Sequence, residues 1–157
     1  MAVEVGVNLI LDGLGRAFAL FRETAGYHFT PKVDRRMVDL AALSKSEAPG
    51  LFYEVADEGA ESRESQLGPF VECSLPVEVV LVLWDPEPTS VFLNLMIRDA
   101  LKLIQSRDWD VPSWQGGQGS VRALTIASVE RYVSAESALK IAVLGLTVDY
   151  REPWDLS

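Results

Sequence analysis

An α+β domain, built from one mixed, mostly antiparallel four-stranded sheet packed with two or three helices, is the fold class this sequence predicts. Three observations carry it. Residues 70–105, FVECSLPVEVVLVLWDPEPTSVFLNLMIRDALKLIQ, join the most strand-like run in the chain to its most helix-like run through a Pro-punctuated hinge. Two further β-rich runs, residues 121–133 and 139–150, are separated by the short segment SAESA, a length that suits an antiparallel hairpin. Strand-like and helical runs are interspersed without strict alternation, which favours helices laid on one mixed sheet.

Taken in order, the chain opens with an amphipathic helix from about Val5 to Phe21. Val7, Ile10, Leu11, Leu14, Ala17, Phe18 and Phe21 share one side of a helical wheel, with Asn8, Asp12, Arg16 and Glu23 opposite. Gly13 and Gly15 weaken it by about 1 kcal/mol each relative to Ala. Gly-Leu-Gly lacks the third glycine and the preceding strand of a phosphate loop, so close packing against a neighbour is the better reason for it. Thr30-Pro31 is a plausible cap and first turn for a second helix, with Val33, Met37, Leu40, Ala41 and Ser44 at helical spacing before Pro49-Gly50 ends it. Leu51 to Ala56 is a short strand rich in aromatic and β-branched residues. Residues 57–68, with Asp57, Glu58, Glu61, Arg63 and Glu64, have no apolar period and read as an exposed acidic connection, longer than the two to five residues or so usual in a hairpin.

In the central strand the odd positions Cys73, Leu75, Val77, Val79, Leu81 and Leu83 are all apolar. The even ones change from Glu72, Ser74, Pro76 and Glu78 to Val80 and Val82, so the strand starts with one wet face and ends with both dry. After Asp85-Pro86-Glu87-Pro88 the period becomes helical, and the polar residues Asn94, Arg98, Asp99, Lys102, Gln105 and Ser106 fall within an arc of about 140°. The remaining apolar arc exceeds the stripe of about 100° that a solitary surface helix needs. Residues 108–120 hold Asp108-Trp109-Asp110, Trp114 and the glycines 116, 117 and 119. This Gly-rich loop precedes a strand and carries no Lys, so the glycines serve to turn the chain. In the last run Ala142, Leu144, Leu146, Val148 and Tyr150 share a face while Ile141, Val143, Gly145 and Thr147 share the other, again nearly dry on both sides. Two doubly dry strands call for helices on both faces or for a neighbouring subunit, and self-association is the economical expectation.

The bulk numbers narrow the function classes. At 157 residues, 48% hydrophobic and 24% charged, the chain fits a single globular domain over residues 1–157. With 14 basic against 23 acidic residues, its net charge of −9 gives no bulk attraction to nucleic acid or anionic membrane. One cysteine, Cys73, leaves no partner for an internal disulfide and reads as a core filler. One histidine, His28, between Tyr27 and Phe29, excludes His-pair zinc motifs and reads as a half-buried turn residue. The N-terminus has Glu4 and no basic residue before Arg16, the wrong pattern for a signal peptide, and no apolar run has the length of a membrane span, so a cytoplasmic chain is expected. No cofactor, metal site or catalytic constellation is expected, and the chain is not read as an enzyme.

The order of these elements resembles the tail terminator (tail completion) proteins of long-tailed bacteriophages. The resemblance lies in the N-terminal amphipathic helix, the strand opened by Pro49-Gly50-Leu51-Phe52-Tyr53-Glu54-Val55, the acidic loop, and the long strand running into an Asp-ended hinge. It continues through the long helix, the turn Asp108-Trp109-Asp110, the Gly-rich loop and the closing strand pair ending Leu146-Thr147-Val148-Asp149-Tyr150-Arg151. It implies a structural virion protein: a ring, hexameric, of identical subunits that caps the tail tube, ends its polymerisation and offers a surface for head joining. Implied partners are other copies of the chain, the tail tube protein and a head connector or neck protein, with DNA only as cargo passing the lumen and no membrane. Implied localisation is the virion, after assembly in the host cytoplasm. Candidate assembly residues are Glu58, Glu61, Arg63, Glu64, Trp109 and Trp114. The alternatives are another head–tail connector or neck protein, and an enzyme or small-ligand module unrelated to phage that would draw on Asp85, Asp108 and Asp110.

Overall fold

A computed structural model of the protein describes residues 2–56, 62–67, 70–105 and 120–153. In chain order the elements are α1 (Ala2–Phe18), β1 (Lys32–Arg35), β2 (Gly50–Val55), β3 (Ser62–Leu67), β4 (Phe70–Trp84), α2 (Val91–Gln105), β5 (Ser120–Tyr132) and β6 (Leu139–Pro153). Short 3₁₀ turns cover Glu23–Ala25, Leu40–Ala42 and Lys45–Glu47.

The alternating apolar run of β4 makes it the spine of the sheet. β6 pairs antiparallel along its entire length, from Phe70 opposite Pro153 to Trp84 opposite Leu139, and β5 pairs antiparallel with β6 beyond it. The other edge of β4 is shared. β3 lies along its first part, where Ser62 faces Ser74, and β2 along its second, where Val55 faces Val77 and Gly50 faces Val82. β1 adds to β2 in parallel, with Val33 opposite Leu51. The path is therefore β1-β2-β4-β6-β5 with β3 beside β4, a mixed, mostly antiparallel sheet in an α+β fold.

The four expected strands are four of the six found, and the two additional ones have a common physical origin. β1 (KVDR) and β3 (SRESQL) are short and polar, so neither carries an apolar alternation; each exists because a neighbouring strand offers backbone groups to pair with. The expected second helix is absent, and the described residues hold two α-helices. The helical spacing of Val33, Met37 and Leu40 is overridden. Val33 goes into the sheet, and residues 36–49 cross the face of the sheet remote from the helices as an irregular segment with two 3₁₀ turns. The stretch expected to be an exposed acidic connection is in part β3.

Both helices lie on one face. From α1, Ile10, Leu11, Leu14, Ala17 and Phe18 are buried against the inward residues of β4 and β6, and from α2, Leu93, Met96, Ile97, Ala100, Leu103 and Ile104 join them. Cys73 is buried in the same cluster, as expected of a core filler. A second, smaller cluster occupies the other face: Phe52, Val80, Val82, Ile141 and Val143, covered by Val38, Leu40, Leu43, Ala48 and Leu139. This corrects the expectation that a neighbouring subunit dries the second face. The chain's own segment before β2 does so, and only over the half of the sheet where Val80 and Val82 replace polar residues. On the uncovered half, Ser74 Oγ donates to Asp149 Oδ1 at 2.6 Å and Arg151 Nε to Glu72 Oε1 at 3.3 Å, as suits a half-solvated surface.

Gly15 fulfils the close-packing expectation. A Cβ there would stand 2.3 Å from Tyr53 Oη and 3.4 Å from Tyr53 Cζ. Tyr53 is itself held edge-on to Phe18 at 5.2 Å between ring centroids. Gly15→Ala should therefore destabilise the protein, the displacement of Tyr53 outweighing the gain of about 1 kcal/mol in helix propensity. In a Tyr53→Phe background, where the hydroxyl is gone, the same substitution should be neutral or stabilising. Urea midpoints of the four proteins in this double-mutant cycle check it.

Candidate functional site

The hinge between β4 and α2 is where charged and exposed aromatic groups converge. β4 is extended by one backbone bond, Asp85 N–H to Ala138 O at 2.8 Å. The Asp85 carboxylate then accepts from Glu87 N–H at 3.1 Å through Oδ1, and from Lys140 Nζ at 2.8 Å through Oδ2. Lys140 Nζ also donates to Glu87 O at 2.5 Å and to Thr89 O. Its side chain is 2% exposed and that of Asp85 6%. One ammonium thus fills three acceptors along Asp85-Pro86-Glu87-Pro88-Thr89, a segment whose two prolines donate no backbone N–H. Helix α2 begins at once: Asn94 N–H reaches Ser90 O at 2.8 Å, and Arg131 Nε bonds Asn94 Oδ1 at 2.9 Å, tying the end of β5 to the first turn.

A second tie fixes the chain after α1. Asp99, in the middle of α2 and 2% exposed, accepts from His28 N–H at 2.7 Å, with His28 Nδ1 at 2.8 Å from the same oxygen. The His28 side chain is 56% exposed, more than the half-buried position expected of it, because the ring meets α2 along one edge only. This anchors Phe29 beside the hinge. Phe29, Leu83, Trp84, Asp85 and Phe92 line an open groove of about 280 Å³. Trp84 is 41%, Phe92 46% and Val91 56% exposed, and Lys45 Nζ stands 4.9 Å from the centroid of the Trp84 ring.

The division of labour is clear: the polar groups are consumed in holding the hinge, and the apolar ones face water. Both oxygens of Asp85 are occupied and the Lys140 ammonium is spent on three acceptors, so these groups serve to hold the hinge. Among the described residues, no group of three or more His, Cys, Asp or Glu side chains is placed to hold a metal ion. No helix among them is long and apolar enough to cross a membrane.

Of the residues singled out in the sequence, Asp85 lies in the hinge and its carboxylate is taken by Lys140. Arg63 and Glu64 fall in β3, beside the first part of β4, away from the hinge end of that strand. Glu58, Glu61, Trp109, Trp114, Asp108 and Asp110 lie outside the described residues, as does the Gly-rich loop. Two residues that organise the site were not read from the sequence. Lys140 shares the alternation of Ala142, Leu144 and Leu146, and a lysine on an otherwise apolar face signals a buried partner. Asp99 sits at the margin of the polar arc of α2, where nothing local distinguishes a solvated carboxylate from a buried one.

Comparison with protein-family models finds no match, and comparison with curated protein sequences likewise finds none.

Two measurements test the clamp. Lys140→Met strands a buried carboxylate and should destabilise the fold by about 3–5 kcal/mol in urea unfolding. The Lys140 hydrogen bond holds the Asp85 carboxyl below the usual aspartate range, burial opposing it and the Glu87 N–H assisting. A depressed folded value means the stabilisation is complete above the unfolded aspartate value of about pH 4 and is lost as pH falls through the folded one. Between about pH 5 and pH 2, stability should fall less steeply in Asp85→Asn than in the parent protein.

Proposed function

We propose that the protein is a structural virion subunit of the tail terminator kind, a ring-forming protein that caps a tail tube, ends its polymerisation and provides a surface for head joining. Support comes first from the resemblance in element order along the chain. The observation that carries self-assembly is the cluster of exposed apolar side chains at the hinge, Trp84, Val91 and Phe92, at the end of the central strand and the start of α2. Contiguous exposed aromatics on a small domain mark a contact surface more often than a chance arrangement. This reading no longer leans on the doubly dry strands, which the chain covers by itself. The net charge of −9 suits a lumen through which DNA slides without adhering.

A connector or neck protein would use the same surface and differs in its partner, tail tube protein or head component. The small-ligand alternative has one observation in its favour, the aromatic groove at the hinge.

Light scattering across a concentration series, alone and with tail tube protein, should show a cyclic oligomer, with rings visible by negative-stain electron microscopy. Phe92→Glu should weaken assembly at least about tenfold while leaving the melting temperature within a few degrees, because the side chain is already half exposed. A strict monomer at every concentration, with tube protein present, would overturn the ring reading.

A further inference from the structure

We propose that residues 36–48 form a hinged strap that opens as a unit from the sheet while the core under the helices stays closed. The strap leaves β1 after Arg35 and re-enters the sheet at β2, where Pro49 O, just past its far end, accepts from Lys32 N–H at the start of β1 at 2.9 Å. Between them the chain has no regular structure beyond the two 3₁₀ turns, and none of its side chains is buried. Val38, Leu40, Leu43 and Ala48 are half-buried and Met37 is 42% exposed. Beneath this cover every residue of the second cluster is nearly dry, from Val82 at 0% to Val143 at 8%.

The bonds that shape the strap are internal to it. Asp39 Oδ1 accepts from Ala41 N–H at 3.1 Å, Glu47 Oε2 accepts from Ser44 N–H at 2.7 Å and Ser44 Oγ at 2.6 Å, and Ala48 N–H reaches Lys45 O at 3.1 Å. These survive an opening. Besides the apolar packing on the second cluster, the contacts that cross to the rest of the protein are of another kind: Arg36 over the Phe52 ring at 4.6 Å, Arg36 Nε to Asp34 Oδ2 at 2.9 Å, Lys45 over the Trp84 ring at 4.9 Å and Lys32 Nζ to Ser46 O at 3.2 Å. These four involve cationic side chains at the surface, where such contacts are weak.

Opening exposes the five residues of the second cluster but little surface of the strap itself, and it keeps the strap's own hydrogen bonds, whereas lifting α1 would expose Ile10, Leu11, Leu14 and Ala17, all at 0%, together with part of the larger cluster beneath them. A segment with few buried apolar contacts and a self-contained bond network is what a locally unfolding unit requires. The consequence is a domain with two core layers of unequal strength, whose weaker layer conceals an apolar strip that opening presents to solvent.

Neighbouring positions on β4 separate the two layers, since Val79 faces the helices and Val80 faces the strap. In a Cys73→Ala background, Val79→Cys and Val80→Cys make the same substitution one residue apart. The thiol introduced at position 80 should react with a soluble disulfide reagent at least about tenfold faster than that at 79, with little dependence on low urea. Adding Leu43→Ala should speed labelling at 80 by a further several-fold and leave 79 unchanged. Val77→Cys and Val82→Cys repeat the comparison if either variant of the first pair fails to fold, as judged by circular dichroism. Equal rates with equal urea dependence on the two faces, or a Leu43→Ala effect common to both, would overturn the proposal.

Discussion

The ion pair between Asp85 and Lys140 is the interaction on which the rest of the arrangement depends. Two buried charges are tolerated only when each is neutralised and its remaining hydrogen-bonding capacity is used, and here the surplus donors of the ammonium go to the carbonyls of Glu87 and Thr89. The hinge carries two prolines, so its backbone has few donors of its own and gains order from a side chain on a strand more than fifty residues away. With the hinge fixed, α2 turns back over the sheet and delivers Leu93, Met96, Ala100 and Leu103 to the main core. The same fixation leaves Val91 and Phe92 outside. Burial of one side of the helix and exposure of its first turn are two results of one constraint.

The length of β4 explains the uneven sheet. A fifteen-residue strand spans more than a short neighbour can pair with, so β2 and β3 share one of its edges while β6 matches it throughout. The part beside β2 also receives residues 36–49 and is dry on both faces. The part beside β3 keeps a polar face tied by the Ser74–Asp149 and Glu72–Arg151 contacts. The change of pattern along β4 from one apolar face to two thus maps a boundary in space: the edge of the strap.

The two ties on α2 act from opposite sides. Lys140, from the sheet, sets where the helix begins; His28, from the chain after α1, meets Asp99 in its middle. Between them they bring Phe29, Trp84 and Phe92 together from three separate segments, so the apolar surface at the hinge is assembled by polar contacts that are themselves hidden or half-hidden. A surface built this way is held in shape by the fold itself, which would lower the ordering cost of the association proposed for it.

Much of this was legible in the sequence, because periodicity reports which side of an element is dry. The alternation in β4 and β6, the helical stripes of α1 and α2, the hairpin of β5 and β6, and the burial of Cys73 all follow from local pattern. Even Gly15 was readable as a close approach, although Tyr53 as its cause was not. What tertiary structure alone decided are the features whose reason lies elsewhere in the chain. β1 and β3 are strands only because β2 and β4 have edges to fill. Residues 36–48 are a strap and not a helix because Val38, Leu40, Leu43 and Ala48 pack over Phe52, Val80, Val82, Ile141 and Val143, which would otherwise face water. A two-sided pattern says that a strand has cover on both faces and is silent on whose chain supplies it. That choice, and the pairing of Lys140 with Asp85 and of Asp99 with His28, rest on contacts between residues far apart in sequence, which no local period encodes.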